Sequence, residues 1–252
     1  MPEQADLTRP GQGEFDAVAD YYDHLMRTVP YRGWVDYVEQ ILSRWRARPK
    51  VVLDLACGTG KIGSEMLRRG YDAMGADLSE PMVRRCADQE PPLTAVVCDA
   101  SALTLADNAF DLIVCLYDSL NYILEADDLK QAFAHVRAAL KPSGVFVFDV
   151  NTVHALEAEL FTQASGPSAP LRYRWRSKYD RHKRQTRVEM SFEILATGEK
   201  IEIVHRQRAY TDVEIRSLLH RGGFTGIQCY EAYRMTPPTP TSDRVFYVAV
   251  PR

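Results

Sequence analysis

The alternation of hydrophobic and polar positions changes rhythm twice along the chain. Over 15–29 and 34–47 apolar residues recur at helical spacing, interrupted by Pro30 and Gly33, which predicts two helices. From Val51 the pattern becomes strand and helix in turn. Val51–Leu55 is a continuous apolar run, 61–69 has helical spacing up to Gly70, and Ala73–Asp77 is again strand-like. Ser79 is placed to cap a helix beginning near Glu80-Pro81, where proline suits the first turn. Leu93–Cys98 and Phe110–Leu116 read as a third and a fourth strand. A helix from the neighbourhood of Asp127 to Leu140 is stopped by Lys141-Pro142-Ser143-Gly144, and Val145–Val150 reads as a fifth strand.

After Asn151 the period falls to two. A loop over 163–170 precedes Arg172, Arg174, Arg176 and Lys178, which alternate with Tyr173, Trp175, Ser177 and Tyr179. Past a turn at Asp180–Arg184, Val188, Met190, Phe192 and Ile194 alternate with Arg187, Glu189, Ser191 and Glu193. A second turn, Thr197-Gly198, leads to Ile201, Ile203 and His205 on one face. Three such runs predict an antiparallel meander with one buried face. A helix over 211–221 ends at Gly222-Gly223, and 226–232 and 244–250 supply two more strands. Continuous apolar strands alternating with helices predict a parallel sheet covered on both faces. Such sheets bind ligands at the carboxyl ends of their strands. Polar residues just past the strand ends are therefore the informative ones.

Charge and cysteine usage narrow the picture only a little. A net charge of -3 gives the molecule as a whole no attraction to polyanions, so nucleic acid and anionic membrane are disfavoured as partners. No apolar run approaches the ~18 residues of a membrane span, and 1–13, polar with Pro and Gly, reads as a mobile tail. Cys57, Cys86, Cys98, Cys115 and Cys229 are scattered without C-x-x-C or His–Cys zinc spacing. They read as buried reduced thiols of a cytoplasmic protein, and no metal is expected.

The stretch 52–63, VLDLACGTGKIG, satisfies G-x-G-x-x-G through Gly58, Gly60 and Gly63. Alone this signal is weak, because tight strand–helix turns select glycine for geometry. In a dinucleotide enzyme the loop would hold a pyrophosphate, yet Asp54 places a negative charge beside it and Lys61 offsets that only in part. Asp54 could instead simply stabilise the loop. A third ligand type presents a cation here, as S-adenosylmethionine does through its ammonium. Asp77 ends the second strand, where a carboxylate can meet both ribose hydroxyls, and Asp99 follows the third, where one can accept an adenine amino group. Acids at three successive strand ends suit an ammonium, a diol and an amino-purine together.

In order and spacing, VVLDLACGTGKIG, MGADLSEPMV, VVCDASALTL, FDLIVCLYDSLNYI and LKPSGVFVFDV resemble the motifs of class I S-adenosylmethionine-dependent methyltransferases. The resemblance covers 15–150 and resumes over 211–250, with Ala56 where the family more often has glycine. It implies a Rossmann-like α/β fold, a seven-stranded sheet of order 3-2-1-4-5-7-6 with one antiparallel strand, carrying here an inserted antiparallel β-meander. It also implies S-adenosyl-L-methionine as cofactor, with S-adenosyl-L-homocysteine as product. Cofactor contacts are implied at Tyr22, Asp54, Ala56, Gly58, Gly60, Asp77, Leu78, Met82, Asp99, Ala100 and Cys115. The expected organisation is a helical lid over 14–48, a core over 49–150 and 210–252, and an insertion over 151–209 that caps the substrate or contacts a second copy in a homodimer.

The acceptor is read from the fourth strand. Methyltransferases acting on base amines often carry Asn/Asp-Pro-Pro-Tyr/Phe there, whereas this chain has Tyr117-Asp118-Ser119-Leu120-Asn121-Tyr122. That segment resembles small-molecule N-methyltransferases of the glycine/sarcosine and amino-sugar kinds. A small-molecule amine is therefore the expected acceptor, methylated by in-line displacement, with substrate contacts at Tyr31, Tyr117, Asn121, Tyr122 and Arg174. Tyr22, Asp118 and His205 are the candidate catalytic groups, although His205 also reads as a satisfied core histidine. The basic alternation over 172–187 reads as a solvated strand face. Two other functions are weighed beside this one: an RNA or protein methyltransferase docking through that basic face, and a cofactor-binding protein without turnover.

Overall fold

The computed structural model describes residues 15–164 and 171–252, so the expected tail over 1–13 and most of the loop over 163–170 lie outside the described residues. A single 3-10 turn at Asp16–Val18 leads into α1 (Ala19–Leu25), followed by α2 (Tyr31–Arg44). The first helix is shorter than its apolar spacing predicts. The chain leaves helical geometry at Met26, and Pro30 disfavours the α conformation at Val29 before it. α2 buries Trp34, Val35, Val38, Ile41 and Leu42, one stripe of the helix. That stripe packs in one cluster with Val52, Leu112, Val147 and Phe246 of the sheet described next.

The core alternates β1 (Val51–Leu55), α3 (Lys61–Arg68), β2 (Asp72–Asp77), α4 (Glu80–Arg85), β3 (Ala95–Val97), β4 (Phe110–Cys115), α5 (Ala126–Ala139) and β5 (Leu140–Asn151). Then come α6 (Val153–Glu157), β6 (Gln163–Ala164), β7 (Leu171–Asp180), β8 (Gln185–Ile194), β9 (Lys200–Arg208), α7 (Asp212–Arg221), β10 (Phe224–Glu231) and β11 (Arg244–Pro251). Seven strands form one sheet in the order 3-2-1-4-5-11-10. Numbered within that sheet alone, the order is the expected 3-2-1-4-5-7-6. β11 runs antiparallel to both β5 and β10, while the remaining neighbours are parallel. α5 buries Leu129, Phe133 and Val136 against one face of this sheet, and α2 covers the other.

Two boundaries differ from the sequence reading. Lys141–Gly144 does not separate helix from strand. β5 starts at Leu140 directly after α5, and the extra residues are absorbed as a register shift against β4 between Phe110 and Leu112. The third strand begins at Ala95 because the Leu93 N–H donates to Cys86 O instead of joining the sheet.

The second sheet has the order β6-β7-β8-β9, with β7, β8 and β9 paired antiparallel over nine or ten residues each. Its inner face carries Val188, Met190, Phe192 and Ile203, packed on Phe15, Val18 and Leu25. On the outer face Arg172, Arg174 and Arg176 stand opposite Glu193, Ser191 and Glu189, and Arg172 pairs with Glu193 at 2.5 Å. The basic strand is thus one row of a mixed-charge, solvated face. The β7–β8 turn is anchored to the core where Arg184 donates twice to Glu214, at 2.8 and 2.6 Å. Glu214 also closes the capping box with Thr211 at the start of α7. Burial would raise the Glu214 carboxyl, but these donors hold it at about 2.

Candidate active site

β1, β2 and β3 deliver Asp54, Asp77 and Asp99 to one cavity of about 570 Å³. Each acid is oriented by backbone N–H groups close by. Gly63 N–H donates to Asp54 Oδ2 at 2.8 Å, and Asp77 accepts from Gly58 N–H at 2.7 Å and Ser79 N–H at 2.9 Å. Asp99 Oδ1 accepts from the Ser101 N–H and hydroxyl, both at 2.7 Å. Burial pushes the Asp54 carboxyl up to about 7, against the Gly63 bond that lowers it, with Asp77 raising it further. Burial likewise raises Asp77.

The three glycines of the loop do different jobs. At Gly58, with φ +54, an added Cβ would meet only Tyr22 at 3.9 Å, so the chain there stays open to close approach. At Gly63 an added Cβ would lie 2.5 Å from Leu93 Cδ2, so this glycine serves packing of α3. A dinucleotide fingerprint asks the same packing role of its third glycine, so it is Asp54 rather than Gly63 that tells the two ligand types apart. Gly60 caps α3 at φ +85 against Cys86 and Leu93, and it is not on the cavity wall. Gly60, expected at the cofactor, shapes the turn in this structure. Ala56 occupies a left-handed conformation at φ 57, which suits the glycine more frequent in the family.

Past β4 the chain makes a second tight turn, with Tyr117 at φ 65 and Asp118 at φ 54. Non-glycine residues hold such a conformation only when their surroundings impose it. Here Asp149, buried in β5, accepts from both N–H groups, at 2.6 Å from Tyr117 and 3.0 Å from Asp118. Arg244, at the start of β11, bonds Asp149 and reaches Asp118 Oδ1 at 2.7 Å. Gln207 of β9 donates to Asp118 Oδ2 at 2.5 Å. The guanidinium also lies 5.2 Å from the Trp34 ring and 5.3 Å from that of Tyr117. Burial moves the Asp149 carboxyl up to about 6, with Arg244 opposing. Asp149, Gln207 and Arg244 escaped the sequence reading. A single acid inside the apolar run VFVFDV was the available signal for Asp149. Gln207 and Arg244 carry no local signal.

The cavity wall also includes Tyr22, Tyr31, Ala56, Leu78, Met82, Ala100, Cys115, Tyr117, Asp118 and Tyr122. Burial, reinforced by Tyr31, Tyr117, Tyr122 and Asp118, holds the Tyr22 phenol well above its ordinary value. At neutral pH it is a neutral hydroxyl. Besides Gly60, three expected site residues are not on the wall. Asn121 is buried, with its amide donating to Asn151 O and Arg208 O and accepting from Asn151 N–H, so it ties the β4 turn to β5 and β9. His205 sits one layer back, behind Phe15 with ring centroids 4.1 Å apart and 3.3 Å from the Tyr122 hydroxyl. Arg174 is exposed, because the alternation that points Trp175 inward points it outward. Among the described residues no helix is long and apolar enough to cross a membrane, and no cluster of ligating side chains could hold a metal ion.

A doubly covered sheet of this order, with an acid at each of three strand ends and a cavity walled in part by α1 and α2, has the architecture of a methyltransferase. Residues 52–144 match the family described as "Methyltransferase domain". The chain belongs to the class I S-adenosylmethionine-dependent methyltransferases, and it is an enzyme of that class. It is 30% identical over 243 residues to YqeM of Bacillus subtilis (strain 168), which bears a methyltransferase name, covering 93% of this chain and 96% of the relative. A crystal structure of an S-adenosylmethionine-dependent methyltransferase from Clostridium acetobutylicum superposes with a TM-score of 0.81 at 27% identity, covering 94% and 98% of the two chains. A Streptomyces venezuelae protein named dTDP-3-amino-3,4,6-trideoxy-alpha-D-glucopyranose N,N-dimethyltransferase is 25% identical over 209 residues, covering 82% and 85%.

The wall suits the cofactor of this class. Asp54 is a buried and Asp77 a half-buried carboxylate, both fixed by backbone N–H groups, and neither forms an ion pair among the described residues. That arrangement favours a cationic ligand.

Proposed function

We propose that the protein methylates the nitrogen of a small-molecule amine. The observation that supports this most is the charge of the cavity wall beyond the cofactor acids. Asp118 stands on the wall beside Arg244 and Gln207, which hold it, and the two carboxylates around Arg244 outnumber its single positive charge. An N–H donor is the natural partner of such a group. The amino-sugar specificity in the name of the Streptomyces relative is consistent with the same reading.

When bound, S-adenosylmethionine supplies an electrophilic methyl group on a sulfonium. In this proposal Asp54 receives the ligand's ammonium, Asp77 its ribose hydroxyls and Asp99 with Ala100 its adenine edge, while Gly58 permits close backbone approach. Tyr22, Tyr31 and Tyr117 enclose the reacting end with neutral hydroxyls and ring faces. Asp118 accepts a hydrogen bond from the acceptor N–H, which aims the nitrogen lone pair. α1, α2 and the inner face of the second sheet exclude water. Positioning of this kind supplies much of the rate in a displacement, so no strong base is needed for an amine. His205 acts through Tyr122 and Phe15 as a positioning residue.

The test is a labelled-methyl assay against pooled amines, amino acids, amino sugars and phenols, with bulk RNA as a separate sample. Incorporation into the amine pools is expected. Incorporation confined to phenols or RNA would overturn the reading.

A further inference from the structure

The inner face of the second sheet is graded, and the gradient bears on which amine is accepted. Register pairs Gln207 with Thr186, His205 with Val188, Ile203 with Met190 and Ile201 with Phe192, while Trp175 stands opposite Met190 on β7. Gln207 reaches Asp118, so this end of the face lies at the proposed nitrogen site. Val188, Met190, Phe192 and Trp175 line the same cavity farther along, together with Phe15, Val18 and Leu25, which pack on that face and share the wall. At ~3.4 Å per residue, Val188 to Phe192 spans about 14 Å of apolar wall. The polar group is at one end, and hydrocarbon continues away from it.

Charge decides what else the cavity can admit. Its described wall carries six carboxylates, those of Asp54, Asp77, Asp99, Asp118, Glu125 and Asp128, against the two cations Lys61 and Arg244. Both cations are engaged. Lys61 pairs with Asp23 at 2.6 Å, and Arg244 holds Asp118 and Asp149. A diphosphate or an amino-acid carboxylate would enter against this field without an available cationic partner on that wall.

We propose that the acceptor is an unphosphorylated amine with an extended apolar body, aryl or alkyl, lying along Val188, Met190 and Phe192 with its nitrogen at Asp118. This rests on the amine reading above and narrows it. The specificity-determining residues are then Trp175, Met190 and Phe192.

The test titrates the full chain, saturated with S-adenosylhomocysteine, with 4-phenylbutylamine, ethylamine, glycine and thymidine diphosphate by calorimetry, and runs the labelled-methyl assay on the same amines with 4-phenylbutanol added. The inference predicts that 4-phenylbutylamine binds at least tenfold more tightly than ethylamine and is methylated. Met190→Gln and the milder Phe192→Leu should each weaken it severalfold while S-adenosylhomocysteine affinity is retained, which separates a local effect from unfolding. Tighter binding of glycine or thymidine diphosphate, equal binding of the two alkylamines, or no binding of 4-phenylbutylamine overturns the inference. Methylation of glycine would do so while leaving the amine reading intact. Methylation of 4-phenylbutanol without the amine would keep the apolar body and remove the amine.

Discussion

Two sheets wall one cavity, and they do it by different means. The seven-stranded sheet contributes strand ends, each an acid held by N–H groups nearby in the chain: Asp54 by Gly63, Asp77 by Gly58 and Ser79, Asp99 by Ser101. The four-stranded sheet contributes a face, assembled from β7, β8 and β9 by register. Its ties to the core are long in sequence. Gln207 to Asp118 spans 89 residues and Asn121 to Arg208 spans 87. A cofactor common to a large class can be read from short motifs, whereas the wall contributed by the second sheet, proposed to face the acceptor, depends on tertiary contacts.

Substitutions at four positions would break or sharpen this contrast. The largest effect is expected where the two walls meet, at Asp149. Asp149→Ala leaves Arg244 with one partner and strips the acceptor from Tyr117 and Asp118, so a loss of about 3–5 kcal/mol is expected in chemical denaturation. Asp149→Asn, which keeps a carbonyl acceptor, should cost less. Gly63→Ala comes next. Its Cβ meets Leu93 and should cost about 1–3 kcal/mol in thermal stability with S-adenosylmethionine affinity unchanged. A drop in affinity without loss of stability would restore a ligand-binding part for that glycine. Ala56→Gly should stabilise by about 1 kcal/mol, since it relieves a left-handed alanine. Arg174→Ala, on the outer face, should change neither stability by more than about 0.5 kcal/mol nor methyl transfer. A fall in methyl transfer would make that face part of acceptor docking.

Where the sequence reading succeeded or missed follows the same division. Strand order and the three acids were legible because continuous apolar runs and their terminal Asp residues are local signals. The meander was legible from period two, which also placed Trp175 inward. Arg174, expected at the substrate, lies on the outer face because the same alternation that turns Trp175 inward turns it outward. Asn121 was taken for a ligand group because nothing local reveals that its amide is spent on the backbone of β5 and of β9. His205 lies on the predicted buried face, yet Phe15, remote in sequence, stands between it and the cavity. Gly60 was read from a motif that does not say which glycine faces the ligand. The Asp118–Arg244–Asp149–Gln207 cluster draws on four separate segments, so no single stretch could display it.

Asp54 is the group proposed to make this loop a site for a cationic ligand. Burial holds its carboxyl at about 7, above the ~3.9 of an unfolded chain. A raised carboxyl stabilises the fold only at low pH, and that contribution is lost as pH rises from about 4 to about 7. Binding an ammonium needs the ionised form, so affinity has the opposite slope and falls as pH drops below 7. The direct measurement is a calorimetric titration of S-adenosylmethionine into the wild type and Asp54→Asn at pH 7.5 and pH 6. Wild-type affinity should fall roughly eightfold between the two, and the variant should bind about 100-fold more weakly at pH 7.5 with little pH dependence. Equal affinity of the two proteins at pH 7.5 would contradict the account.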